Sequence, residues 1–270
     1  SAQGPSYASA LVIEKGGKII AAGTEECPII FTAQADPLDG TYPIYNNGKW
    51  GGIVILGKAT NNLTVAANGP FLAGSGNGKL AAADGLGVVE GFATSNTQDQ
   101  FGVNLSLGQT FDDNDNSGVM KYVSVRHSGA ILSVGSEING ITLGSVGRGT
   151  TLEHLEIVSC GDDAIEFFGG TVNIKWVTQL YGNDDMFDYD LGWSGKCQFL
   201  FGMKAPWAAT GTIASPDSDN GFECDSDDQQ SNNTPKGHPV IYNATIIGNG
   251  KTTNTSDNKG LAAIQMKEDA

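Results

Sequence analysis

The chain has 270 residues, in which 30 Asp and Glu face 15 Lys and Arg, for a formal net charge of −15. That balance excludes nucleic acid as a natural partner, because phosphate contacts need Lys and Arg, and it opposes adhesion to an anionic membrane. No run of 18 apolar residues is present to insert into a bilayer. The acid suits cation binding or a soluble extracellular life, and simple solubility is the plain alternative.

In chain order, the segment opens on polar residues, SAQGPSYAS, without Met, which reads as a processed or truncated product. The stretch ALVIEKGGKIIAAGTEECPIIFTA predicts three short strands joined by Gly turns, and WGGIVILGKA predicts a fourth. Residues 60–117, rich in Gly, Asn and Ala, read as a long irregular excursion with few strands. From 118 to 270, β-branched runs of four to six residues alternate with Gly, Asn and Asp turns, and no helical period stands out. The expectation is one all-β domain over residues 1–270, with no linker dividing it.

Two motifs interleave in the second half. The first is Asp or Asn, any residue, apolar, polar, apolar. It occurs at Asp163–Phe167, Asp185–Tyr189 and Asn220–Cys224, with weaker copies at Asn139–Leu143 and Ala262–Met266. The second is a strand beginning near Tyr122, His154, Trp176, Gln198 and Asn243, in which Leu155, Val177 and Phe199 are spaced 22 and 22. A fixed period near 22 with two strands in each repeat is the signature of a solenoid. Equivalent residues then stack at the interstrand spacing of roughly 4.8 Å. The reading is a single-stranded right-handed parallel β-helix, with loops where copies lie further apart.

The wording ALVIEKGGKIIAAGT, PIIFTA, WGGIVILGKA, DNSGVMKYVSVRHSG, EINGITLGSVGRGTTLEHLEI, DDAIEFFGGTVN and GNDDMFDYDLGWSGKCQF resembles a family of secreted surface proteins. These are found mainly in Bacteroidetes and other, often marine, bacteria. The resemblance covers most of the chain. It implies a pectate-lyase-like β-helix and an extracellular or cell-surface location, and further coils after IQMKEDA, more strongly than it implies an activity.

Alternation of side chains places Ile141, Ile165, Phe187, Phe222 and Ile264 inward. The outward column between inward positions then reads Thr142, Glu166, Asp188, Glu223, Gln265. A second outward column carries Asp190 and Asp225. The paired acids Asp162, Asp163, Asp184 and Asp185 sit at the turns entering these strands. Carboxylates stacked at this spacing repel by of order 1 kcal/mol per pair in water and about 3 at an effective dielectric near 20. Ca²⁺, neighbouring Lys or Arg, or a raised pKa would offset that repulsion, and turn Asp also bonds local backbone. The stretch DDNDNSG adds Asp113 and Asp115. It matches the start of a calcium loop but has Ser124 at the twelfth position, so it reads as an Asx-rich turn or a partial Ca²⁺ loop. Asp217 to Asp228 form a third acidic knot.

Enzymes on the resembled superfold also use an acidic face: pectate-lyase types pair Ca²⁺-binding carboxylates with a base, and polygalacturonase types use several Asp with a His and an Arg-x-Lys. Here Gly-His-Gly and Arg-x-Lys are absent, and the candidate bases are His127, His154, His238, Arg126 and Arg148. Glu166 and Asp188 are the alternative catalytic pair. Of the four Trp, core or capping roles are favoured; Trp193 and Trp207 flank a loop and are the best ligand-binding candidates. Cys27, Cys160, Cys197 and Cys224 form no CxxC pair and read as one or two disulfides or as isolated thiols. Sequons stand at Asn62, Asn104, Asn232, Asn243 and Asn254. The functional expectation is an extracellular, non-enzymatic surface or matrix protein. Ca²⁺ stiffens it, and it presents loops to glycans or proteins and can self-assemble into filaments. The alternative is a polysaccharide lyase or glycoside hydrolase working on the acidic face.

Overall fold

The computed structural model describes residues 9–63, 84–89, 92, 96–133, 136–206, 219–225, 233–250 and 262–267. The strands are β1 (Ala10–Ile13), β2 (Ile19–Ala22), β3 (Ile29–Phe31), β4 (Gly52–Leu56), β5 (Leu86–Val88), β6 (Gln100–Gly102), β7 (Gly118–Arg126), β8 (Ile131–Ser133) and β9 (Ser136–Glu137). They continue as β10 (Ile141–Gly144), β11 (Thr151–Val158), β12 (Ile165–Phe168), β13 (Asn173–Leu180), β14 (Phe187–Asp190), β15 (Lys196–Met203), β16 (Phe222–Cys224), β17 (Val240–Ile247) and β18 (Ile264–Met266).

Two parallel sheets carry the architecture. The first has the order β1-β4-β10-β12-β14-β16-β18, and the second β17-β15-β13-β11-β7-β2, with β3 also on β7. Strands alternate between the sheets along the chain, so the backbone winds as a parallel β-helix, as the 22-residue period predicts. Inward columns hold like residues. Ile53, Ile141, Ile165, Phe187, Phe222 and Ile264 are in register on the first sheet. All but Ile264, which is 61 % exposed, meet Leu152, Leu155, Ile157, Ile174 and Val177 of the second sheet in one core. Stacking of equals extends to rings, with Phe187 over Phe222 at 5.0 Å.

The second-sheet register differs from expectation by one residue. Val177 pairs with Leu200, not Phe199, because β13 pairs with β15 at a step of 23. The turn between β14 and β15 runs from 191 to 195, one residue longer than the turn from 169 to 172 between β12 and β13. Each long strand also contains a left-handed residue: Tyr122, His154, Trp176, Phe199 and Asn243 have φ of +49 to +60. No register pair forms at these positions. Side chains on both sides of the break point outward, so Glu153 and His154 are both partly exposed while Leu155 is buried. Left-handed backbone costs a non-glycine residue roughly 1–2 kcal/mol.

The excursion after residue 60 does structural work. Its described part contains the antiparallel pair β5–β6, which lies on the outer face of the first sheet. There Val54, Leu56, Leu63, Val89, Phe101, Phe168 and Leu191 form a second core cluster, with Phe101 stacked on Phe168 at 6.1 Å. At the start of β7, Gly118 has φ +111, and a Cβ there would lie 1.9 Å from the Ile19 carbonyl oxygen. Only glycine lets β2 and β7 approach.

A candidate cation site on the acidic face

The register sets the outward column of the first sheet as Thr142, Glu166, Asp188, Glu223 and Gln265, the order read from the sequence. The column is polar where the β5–β6 cover ends. Two trios of carboxylates converge beside it, Asp162 with Asp163 and Asp184, and Asp163 with Glu166 and Asp188. In each, one oxygen from every residue lies within 4.8 Å of the others. Asp163 belongs to both trios and is buried.

The turn acids have a second task. Asp163 accepts a hydrogen bond from the Asp185 backbone N–H at 2.8 Å. Asp185 in turn accepts one from the Asn220 N–H. The bonded backbone therefore belongs to the next coil rather than to the residue's own turn. The same column continues in amides: Asn139 donates to Glu166 at 2.5 Å, and Asn220 to Gln265 at 2.8 Å.

Burial dominates the electrostatics. It pushes the Asp162 carboxyl up to about 8, reinforced by Asp184 and Glu137. It also holds Asp163 well above the ordinary range, reinforced by Asp162 and Asp188. Asp185 is raised to about 6, again chiefly by burial, against the lowering effect of the Asn220 N–H. A trio of this kind must hold protons, a cation, or both.

Several expected ligands are placed elsewhere. Glu223 forms an ion pair with Lys267, whose Nζ is also 3.9 Å from Asp225. Asp190 and Asp225 are buried rather than solvent-facing. Their column continues from Phe168, and Phe168 lies in the covered cluster. Asp190 accepts from the Leu191 N–H at 2.6 Å. Asp113 and Asp115 accept from the backbone N–H groups of Thr60 and Lys58 at 3.0 and 3.2 Å, and Arg148 lies 3.5 Å from Asp113. These acids tie the turn before β7 to the exit of β4.

Trp193 is not a ligand platform. It is 1 % exposed, stacks on Phe167 at 3.9 Å and donates its indole N–H to the Val172 carbonyl at 3.2 Å. Trp207, Asp217, Asp227 and Asp228 lie outside the described residues. All four cysteines are free thiols, three of them buried. Asn62 is also buried, so that sequon cannot accept a glycan in the folded chain.

Sequence reasoning missed Lys204. It is buried beside Asp185, Asp219 and Asp184, and burial lowers its ammonium to about 8 against their attraction. Its signal is its phase, since it follows β15 as Tyr181 follows β13. Also missed is a cluster under residues 36–46. The His127 ring lies 2.5 Å from the Asn46 carbonyl and 3.9 Å from Asp36, with Tyr42 edge-on at 4.8 Å. There His127 fastens a loop to the coil.

A family profile for pectate-lyase-like β-helix domains matches residues 1–270. The chain belongs to that family. No curated protein and no solved structure gives a match. Membership in the pectate-lyase-like β-helix family accounts for the two parallel sheets, while the acidic face is described by this chain's own residues.

Proposed function

We propose that this β-helix is an extracellular, non-enzymatic scaffold whose acidic face holds Ca²⁺ and whose loops engage glycans or matrix proteins. The observation that carries the cation reading is the pair of carboxylate trios sharing the buried Asp163. All donors are hard oxygens. Ca²⁺–oxygen distances of about 2.4 Å put ligands on opposite sides of one ion about 4.8 Å apart, which the trios satisfy. Asp162, Asp163 and Asp184 in one trio, and Asp163, Glu166 and Asp188 in the other, would hold an ion, and it would supply the positive charge that the buried acids need.

The test is calorimetric titration of Ca²⁺ into chelator-treated protein, with Mg²⁺ as comparison. Saturable Ca²⁺ binding lost in Asp163→Asn supports the reading. Absence of binding at millimolar Ca²⁺ leaves the acids as protonated inter-coil caps and refutes it.

One observation favours the alternative, a polysaccharide lyase or glycoside hydrolase. Lys204, with an ammonium lowered to about 8, sits one coil corner from Asp184 and Asp185 and is a candidate base beside the acids. Release of unsaturated or reducing ends from a polysaccharide panel, abolished by Lys204→Met or Asp188→Asn, would establish it.

A further inference from the structure

The outer surface of the second sheet carries a feature that the acidic face does not require. Tyr122, His154, Trp176, Phe199 and Asn243 repeat a left-handed backbone at one register position. Bulky residues rarely adopt that conformation, and a repeated outlier points to use. Four of the five form a continuous stack of rings, with centroids 4.3, 4.5 and 5.9 Å apart and planes within 17°. The stack stops where the next residue is Asn243. That side chain is too short to cover the far face of Phe199, which is 41 % exposed.

A groove of about 490 Å³ runs beside the stack. His154, Trp176 and Phe199 form one wall, Glu156, Thr178 and Phe201 the other. The groove therefore crosses three coils and lies along the helix axis.

We propose that this groove binds a neutral polysaccharide chain running along the helix axis, with one pyranose ring per coil. Three observations select that occupant. The first is spacing. Coils repeat at roughly 4.8 Å, close to the advance of a chain by one pyranose ring. An extended peptide repeats its same-face side chains at about 6.8 Å and falls out of phase. The second is charge. Glu156 is engaged by Arg126 at 3.2 Å and by the Ser124 hydroxyl. Lys175 is held over the Trp176 ring at 4.0 Å. Lys175 is not among the groove's lining residues, and none of the described lining residues is a Lys or Arg, which suits neither a phosphate nor a uronate. The third is rim chemistry. The Thr178 hydroxyl offers donor and acceptor, as sugar hydroxyls do, and the Asn243 amide, whose Oδ1 accepts from Gln198 at 3.4 Å, offers N–H donors beside the aromatic side chains of Trp176, Phe199 and Phe201.

This inference rests on the reading of the chain as a binding scaffold. It is separable from the cation, which lies on the other sheet. The experiment is a titration of the full chain with cellohexaose, mannohexaose and xylohexaose, followed by tryptophan fluorescence and calorimetry, with oligogalacturonate as the acidic comparison. Two variants block the groove without removing a stacked ring: Asn243→Trp, which extends the stack over Phe199, and Thr178→Arg, which fills the channel. Thermal melts confirm that each is folded.

The expected result is saturable binding of at least one neutral hexasaccharide, weakened about tenfold or more in both variants and unchanged by chelator. Binding of none of the neutral sugars overturns the proposal. So does binding that both folded variants retain, or binding of oligogalacturonate alone. Sugar binding that survives when Ca²⁺ has no effect on stability would refute the cation reading and leave the groove standing.

Discussion

Replacing Asp188 with Asn should change stability with opposite signs in the presence and absence of Ca²⁺. Without the ion, burial holds the Asp163 carboxyl well above the ordinary range, and Glu166 and Asp188 remain within 4.8 Å of each other. Two unit charges at that distance repel by about 0.9 kcal/mol in water and about 3.5 at an effective dielectric near 20. Removing one should stabilise the ion-free protein by about 1–3 kcal/mol, raising its melting temperature by about 2–8 °C for a chain of this size. With Ca²⁺ bound, the same substitution deletes a ligand and should lower the midpoint, because a weakened ion stabilises the folded state less by mass action. The assay is circular dichroism melting at pH 8 of both proteins, with chelator and with Ca²⁺. A substitution that destabilises under both conditions would refute the reasoning, since it would make Asp188 a structural hydrogen-bond acceptor rather than a repelling charge.

Other consequences are as direct. The raised carboxyls of Asp162, Asp163 and Asp185 mean that the ion-free folded state binds more protons than the unfolded chain between about pH 4 and pH 8. Its stability should therefore fall as pH rises through that window, and urea titrations with chelator at pH 5 and pH 8 would measure it. Stability rising over the same window would contradict the buried acids. Trp193→Ala should cost about 3–5 kcal/mol in urea unfolding and leave sugar binding by the folded protein unchanged. Ellman's reagent should titrate one thiol, Cys27, in the native chain and four in denaturant, because Cys160, Cys197 and Cys224 are buried.

The coil plan was legible because Ile165, Phe187 and Phe222 must all fill the same interior slot, and a solenoid repeats that demand at fixed phase. The outward acids followed from alternation alone. The one-residue slip at β15 was hidden because Phe199 and Leu200 are both apolar, so either satisfies the pattern. Only the longer turn containing Trp193 decides between them. Trp193 itself sits in a Gly-flanked turn that reads as exposed, and its burial depends on stacking against Phe167 of the preceding coil. The acids at 190 and 225 read as solvent-facing because alternation fixes direction but not what else covers that face. Lys204 and the ring stack at His154, Trp176 and Phe199 needed the register between coils before their neighbours could be named.

The hydrogen bonds that Asp163 accepts from the Asp185 backbone N–H, and Asp185 from that of Asn220, run in one direction along the chain. Each finished coil thus presents preplaced acceptors for a segment not yet in position, and Asn139 and Asn220 likewise present side-chain donors to Glu166 and Gln265 of the coils that follow. In a structure whose stability is built from nearest-neighbour terms, that asymmetry gives assembly a polarity. A coil laid down first is a template for the next, and growth from the amino-terminal side matches the order in which a ribosome delivers the chain.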